Sequence, residues 1–123
     1  IGTAELYRQV ETVAEVADSL VVGRQVDGDV EVVPLVVPAA GCELTDALQQ
    51  RLRRRIREGA SPRHVPKHII AVADIPYTRS GKKVELAVAR LINGAAKADN
   101  RDALANPEAL DAIRERLAEE RLI

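Results

Sequence analysis

The chain has 123 residues, 46% of them hydrophobic, which is enough for one modest core and too short for two domains. Its 18 Lys and Arg against 19 Asp and Glu leave a net charge of −1, so there is no long-range basic field to attract nucleic acid or an anionic membrane, and any anion must be bound locally. The single cysteine, Cys42, excludes an intrachain disulfide and suits a reducing compartment; no apolar run approaches the roughly 20 residues of a membrane span, no signal peptide is visible, and the chain reads as cytoplasmic.

Thr3 can cap a first helix near 4–13, in which Leu6, Val10 and Val13 recur at helical spacing. The β-branched runs 20–26 and 30–37 flank Asp27-Gly28-Asp29, a strong hairpin signal, and predict two antiparallel strands. Pro38 through Cys42 breaks that pattern. A helix from about 43 to 58 follows, with Leu44, Leu48, Leu52 and Ile56 on one stripe. It also carries Arg51, Arg53, Arg54, Arg55 and Arg57. On a helix these spread around the polar faces, and no aromatic side chains interleave with them for base stacking, so they predict a solvated face.

Gly59 ends that helix, and Ser61-Pro62-Arg63-His64-Val65-Pro66 forms a stiff connection into a strand at about 67–73. His64 and His68 stand four apart, a spacing that suits metal only on a helix. Pro66 lies between them and no third ligand is near, so both are expected to be structural and no metal site is assigned.

The next stretch, Ile75-Pro76-Tyr77-Thr78-Arg79-Ser80-Gly81-Lys82-Lys83, is polar between apolar neighbours. Ile69, Ile70 and Val72 before it read as a buried strand. Val84, Ala87, Val88, Leu91 and Ile92 after it recur at helical spacing over about 83–93, so core packing holds both ends. Pro76 fixes its own φ and Gly81 can take φ > 0, which lets the chain turn sharply and aim Lys82 outward. A Walker A loop would need a glycine where Pro76 stands and Ser or Thr where Lys83 stands, and is excluded. Asn93-Gly94 ends the helix, 95–103 is polar and alanine-rich, and Asn106 is expected to cap a last helix with Pro107 at its first position and Leu110, Ile113 and Leu117 as its stripe. The order helix, hairpin, helix, strand, helix, helix predicts an α+β domain: a small mixed sheet of about three strands covered by helices.

Thr78-Arg79-Ser80-Gly81-Lys82 resembles the lysine-bearing motif near the C-terminus of the adenylate-forming acyl-CoA synthetases, and Ile1-Gly2-Thr3-Ala4-Glu5 resembles their other C-terminal-domain signature. The two stand in the family's order and separation. With Leu6-Tyr7-Arg8 and the run from Ile75 to Glu85, the likeness narrows to the acetoacetyl-CoA synthetase branch, and it extends through Ser61 to Pro66 and Leu104-Ala105-Asn106-Pro107-Glu108. The resemblance implies that 1–123 is the mobile C-terminal domain, which swings between two poses over an N-terminal domain that binds ATP and carboxylate and lies outside the chain. The absence of methionine, the opening within a motif and the lack of a glycine-rich phosphate loop agree with a piece of a larger enzyme.

The implied reaction makes acetoacetyl-CoA from acetoacetate, ATP and CoA through an acyl-adenylate, releasing pyrophosphate and then AMP. The alternatives are an acetate- or propionate-type synthetase and a non-catalytic interaction module that keeps the fold. By resemblance Lys82 is the adenylation lysine, and Thr78, Arg79, Ser80 and Gly81 support its loop. Gly2, Thr3, Ala4 and Glu5 approach the pantetheine arm of CoA, and Arg57, counted back from Lys82, reaches the CoA 3′-phosphate. Glu85 stands where the wider family commonly has arginine, which favours the acetoacetate branch. Mg2+ is expected with ATP, held mainly by the missing domain. A lysine acetyltransferase and deacetylase acting on Lys82 are implied as further partners.

Overall fold

Asp27 and Gly28 take φ of 50° and 80°, the left-handed pair that a two-residue hairpin turn requires, and Val26 faces Asp29 directly across them. The turn sets the register of β1 (Val16–Val26) against β2 (Asp29–Pro38), with Leu20 opposite Leu35 and Val22 opposite Val33. The computed structural model describes residues 3–94 and 101–123; Ile1, Gly2 and most of the polar 95–103 stretch lie outside the described residues. β1 begins ahead of the expected start at 20, and its register shifts between Val16 and Asp18. Polar Asp18 and Ser19 hid that start, because both have partners of their own.

β3 (Ile70–Ala71) runs parallel to β2 and completes the order β1-β2-β3, so the sheet is mixed and β2 is central. The strand expected over 67–73 is shorter because its first carbonyls are taken: Arg53 donates to Pro66 O at 2.9 Å and to Lys67 O at 3.1 Å. At the other end Val72 N still donates to Val36 O at 2.9 Å.

Period-two alternation along the strands divides the core. Leu20, Val22, Val33, Leu35 and Ile70 face α3 (Glu85–Ile92) and α4 (Pro107–Glu119), while Val21, Val36 and Ile69 face α1 (Thr3–Glu11) and α2 (Asp46–Gly59). The small sheet thus lies between two helical layers, the α+β arrangement expected from the element order. Its outer strand β1 has edge groups satisfied by side chains: Val21 N donates to the Tyr7 hydroxyl at 3.0 Å, Gln25 N donates to Asn93 Oδ1 at 2.8 Å, and Asn93 Nδ2 donates to Gly23 O at 3.0 Å. A strand edge so covered offers little template for a foreign strand.

Two expectations are corrected and a third is refined. Thr3 is the first residue of α1 rather than a cap ahead of it. The second helix starts at Asp46, not near 43, because Thr45 Oγ1 accepts from Leu48 N at 3.1 Å and so sets the start. Of the arginines, Arg51, Arg54, Arg55 and Arg57 are exposed, as expected of a solvated face, but several also bind the chain: Arg51 pairs with Glu15, half-buried Arg53 holds the 66–67 carbonyls, and Arg55 donates to Gln9 O at 3.2 Å and Thr12 Oγ1 at 2.7 Å, while Arg54 and Arg57 have no partners among the described residues.

Candidate functional site

The lysine loop is a small hairpin in its own right. Tyr77 and Lys83 form an antiparallel bridge, Thr78 N donates to Lys82 O at 2.8 Å, and Val84 N donates to Pro76 O at 3.1 Å. Gly81 N closes the turn onto Thr78 O at 2.9 Å with φ of 87°, and a Cβ there would meet nothing within 4 Å, so glycine is needed for backbone conformation and not for space. Thr78 Oγ1 accepts from Lys82 N at 3.1 Å and lies 3.0 Å from Ser80 Oγ, which stiffens the turn from inside.

A second segment straps the hairpin from behind. Thr78 bridges Leu104, Arg79 N donates to Ala103 O at 3.3 Å, and Ala105 N donates to Tyr77 O at 2.9 Å. Asn106, expected to cap α4, makes no side-chain cap bond. Its amide instead spans the loop's entry: Oδ1 accepts from Tyr77 N at 2.9 Å, and Nδ2 donates to Ile75 O at 2.8 Å and Asp74 Oδ2 at 2.9 Å. Pro107 supplies the pre-set φ of the helix start without it.

Neighbouring residues on an extended arm project to opposite sides, and this separates the two lysines. Lys83 turns inward: its Nζ lies 2.5 Å from Glu11 Oε2, 3.5 Å from Asp18 Oδ1 and 4.1 Å from the Tyr7 ring centroid. Lys82 is exposed, and its side chain has no partner among the described residues. The free cation of the pair is therefore Lys82, which can neutralise an anion brought to the turn.

Two tyrosines hold the polar layer beneath. The Tyr77 hydroxyl donates to Asp18 Oδ2 at 2.6 Å, and burial together with that carboxylate pushes its phenol above the ordinary range. The Tyr7 hydroxyl donates to Glu85 Oε2 at 3.0 Å; burial, then the charge of Glu85, raises its phenol in the same direction. Both stay protonated and act as donors. Ser19, fully buried, ties the layer together by donating to Glu11 Oε2 at 2.7 Å.

The other sequence-predicted residues lie apart from this turn. Thr3 and Ala4 are exposed on the first turn of α1, and Glu5 is engaged with Gln9 at 3.0 Å and Arg8 at 3.1 Å. Gly2 lies outside the described residues. Thr3 borders an open groove of about 300 Å3 with Val22, Gly23, Glu85, Leu86 and Ala89, and Lys82 does not line it. Arg57 stands exposed in the last turn of α2, whose Gly59 packs against the Gln9 side chain of α1. Among the described residues no three His, Cys, Asp or Glu converge to hold a metal ion, and His64 Nδ1 is buried without a hydrogen-bond partner.

Sequence reasoning missed Glu11, Asp18, Tyr7 and Asn106 as supports of the lysine loop. No local signal marks them, since Lys83 and Glu11 are 72 positions apart and Tyr77 and Asp18 are 59 apart.

The chain belongs to the AMP-binding enzyme C-terminal domain family, whose sequence profile matches residues 5–82 and so ends on the free lysine itself. Within that class it is similar to acetoacetyl-CoA synthetases. The one from Rhizobium meliloti (strain 1021) is 59% identical over 111 residues, covering 90% of this chain and 17% of that protein. The one from Caenorhabditis elegans is 47% identical over 113 residues, covering 90% of this chain and 16% of that protein. The solved acetoacetyl-CoA synthetase from Streptomyces lividans matches with a TM-score of 0.86 at 39% identity, over 98% of this chain and 18% of that one. The chain thus spans 16 to 17% of the length of these curated relatives.

Proposed function

We propose that residues 1–123 are the swinging C-terminal domain of an acetoacetate–CoA ligase, which converts acetoacetate, ATP and CoA into acetoacetyl-CoA, AMP and pyrophosphate. The observation that carries this reading is Lys82: a cation with no partner among the described residues, on a turn held from both sides, in a chain similar to acetoacetyl-CoA synthetases over nine-tenths of its length. The N-terminal domain of the same enzyme would be its partner and would bind ATP with its Mg2+ and the carboxylate. A cytoplasmic location is part of this reading, and the single cysteine suits such a reducing compartment. No helix among the described residues is long and apolar enough to cross a membrane.

In the first half-reaction the acetoacetate carboxylate attacks the α-phosphorus of ATP. The two reactants repel each other, and negative charge moves onto the bridging oxygen as pyrophosphate leaves. A cation spanning both sites opposes the repulsion and stabilises the departing charge, and Lys82 takes that role, with Thr78, Arg79, Ser80 and Gly81 setting its position. In the second half-reaction the CoA thiol displaces AMP while Gly2, Thr3, Ala4 and Glu5 approach the pantetheine arm and Arg57 meets the 3′-phosphate. Acetylation of Lys82 would remove its charge while leaving the turn, and so would switch off the first step.

The test measures the half-reactions separately in the full-length enzyme. Lys82→Ala should slow carboxylate-dependent pyrophosphate exchange by about 10²–10³, the loss associated with a preorganised charge donor, while presynthesised acetoacetyl-adenylate is still converted with CoA. Equal loss of both steps, or a parental exchange rate, refutes the role.

A further inference from the structure

Asp18 receives both arms of the lysine hairpin on one carboxylate. Its Oδ2 accepts from the Tyr77 hydroxyl at 2.6 Å, and its Oδ1 lies 3.5 Å from Lys83 Nζ. Tyr77 and Lys83 are the directly opposed pair at the base of the hairpin, so both side chains leave on the same side. We propose that Asp18 is a positioning residue for Lys82, a clamp that closes the two arms of the hairpin and fixes where its free cation stands; this rests on the adenylation role given to Lys82.

The physical need is plain. A two-stranded hairpin in water is marginal on its own, and this one has a single bridge between its arms. Its tip carries an exposed four-carbon side chain that must reach two oxygens in one geometry. Misplacement by about 1 Å can cost on the order of 10²-fold in rate.

The clamp is itself held. Asp18 Oδ1 also accepts from Ser19 N at 2.8 Å, which fixes the carboxylate's rotamer, and buried Ser19 donates to Glu11 Oε2, the nearer carboxylate of Lys83 at 2.5 Å. The Tyr7 ring lies beneath the same ammonium at 4.1 Å. The register shift of β1 between Val16 and Asp18 stands beside this carboxylate, as bulges do where a strand must re-aim a side chain. With Lys83 bound inward by these partners, strand alternation sends Lys82 outward. Asp18 thus contributes to the reaction without touching substrate.

Asp18→Ala, Asp18→Glu and Tyr77→Phe in the full-length enzyme test this, with Lys82→Ala in parallel. Asp18→Ala should lower kcat of pyrophosphate exchange by about 10- to 100-fold with KM for ATP within about threefold, and leave conversion of presynthesised acetoacetyl-adenylate within about threefold. Asp18→Glu, which keeps an acceptor, should retain more exchange than Asp18→Ala. Tyr77→Phe should slow exchange by a smaller factor alone and add little on top of Asp18→Ala, because both changes open the same clamp. Amide hydrogen exchange over residues 79–82 should quicken in Asp18→Ala while α2 and α4 keep their protection. Parental pyrophosphate exchange in Asp18→Ala overturns the proposal, as does an equal fall in both half-reactions with loss of protection throughout, which marks a merely structural role. If Lys82→Ala abolishes exchange and Asp18→Ala does not, only the clamp fails; if Lys82→Ala exchanges normally, the reading beneath it fails as well.

Discussion

Lys82 and Lys83 are chemically identical neighbours, and their environments give them opposite fates. Lys83 is one-fifth exposed, bound to two carboxylates and an aromatic face, each contact worth about 0–1 kcal/mol at a partly exposed site. Lys82 has no partner among the described residues and stands exposed to a ligand. The same layer makes a pH prediction. The phenols of Tyr7 and Tyr77 are both raised above the ordinary value of 10, so the folded chain keeps protons that the unfolded chain gives up. Stability from these groups is complete below pH 10 and declines as pH rises beyond it. Thermal melts from about pH 9 to pH 11 should show a steeper loss in the parent than in Tyr77→Phe or Tyr7→Phe, and equal slopes would contradict the burial of these hydroxyls.

Among the elements, α2 shows how a single contact decides a boundary. Leu44, Leu48, Leu52 and Ile56 share one stripe, yet the helix begins only after Thr45, where the hydroxyl accepts from Leu48 N. Thr45→Ala should cost about 1 kcal/mol of stability, read from denaturant melts, and leave pyrophosphate exchange at the parental rate, since the cap belongs to the layer opposite α3 and α4. The strap at 103–106 behaves differently. Asn106 gives its amide to the 74–77 segment, so this residue couples the start of α4 to the lysine hairpin. A helix-capping residue type at a helix start thus serves a loop instead, because the loop's orphan N–H and C=O groups had no other partner.

At the scale of the whole molecule the lysine hairpin and the candidate CoA-facing residues stand at different places around the α1 layer. The lysine hairpin is anchored on Glu11 at the C-terminal end of α1, whereas Thr3 opens the other end, about 12 Å away along a helix of this length. Arg57 projects from the last turn of α2, in the layer that packs with α1. If Arg57 meets the CoA 3′-phosphate as proposed, Arg57→Ala should weaken CoA binding by about 1.5–3 kcal/mol, the worth of a charge-assisted contact, without altering pyrophosphate exchange. A CoA titration of the thioester step checks this, and an unchanged KM for CoA removes Arg57 from the site.

By itself the sequence determined the elements whose signals are local: the Asp27-Gly28 turn, the apolar stripes of α2 and α4, the α+β order, and the family to which the Thr78 to Lys82 motif points. These follow from backbone preferences and from the periods of strand and helix, which a few neighbouring residues express. The tertiary structure alone decided that β3 shrinks to Ile70–Ala71, that Arg51, Arg53 and Arg55 have partners within the chain, and that Lys83 is drawn inward onto Glu11 and Asp18 while Lys82 has no partner among the described residues. Each of those depends on partners far away in sequence, such as Asp18 and Glu11 across the chain from Tyr77 and Lys83. Charge and hydrogen-bonding capacity are properties of single residues, but whether they are spent inside the fold or left for a ligand depends on which groups the packed layers bring within about 3 Å.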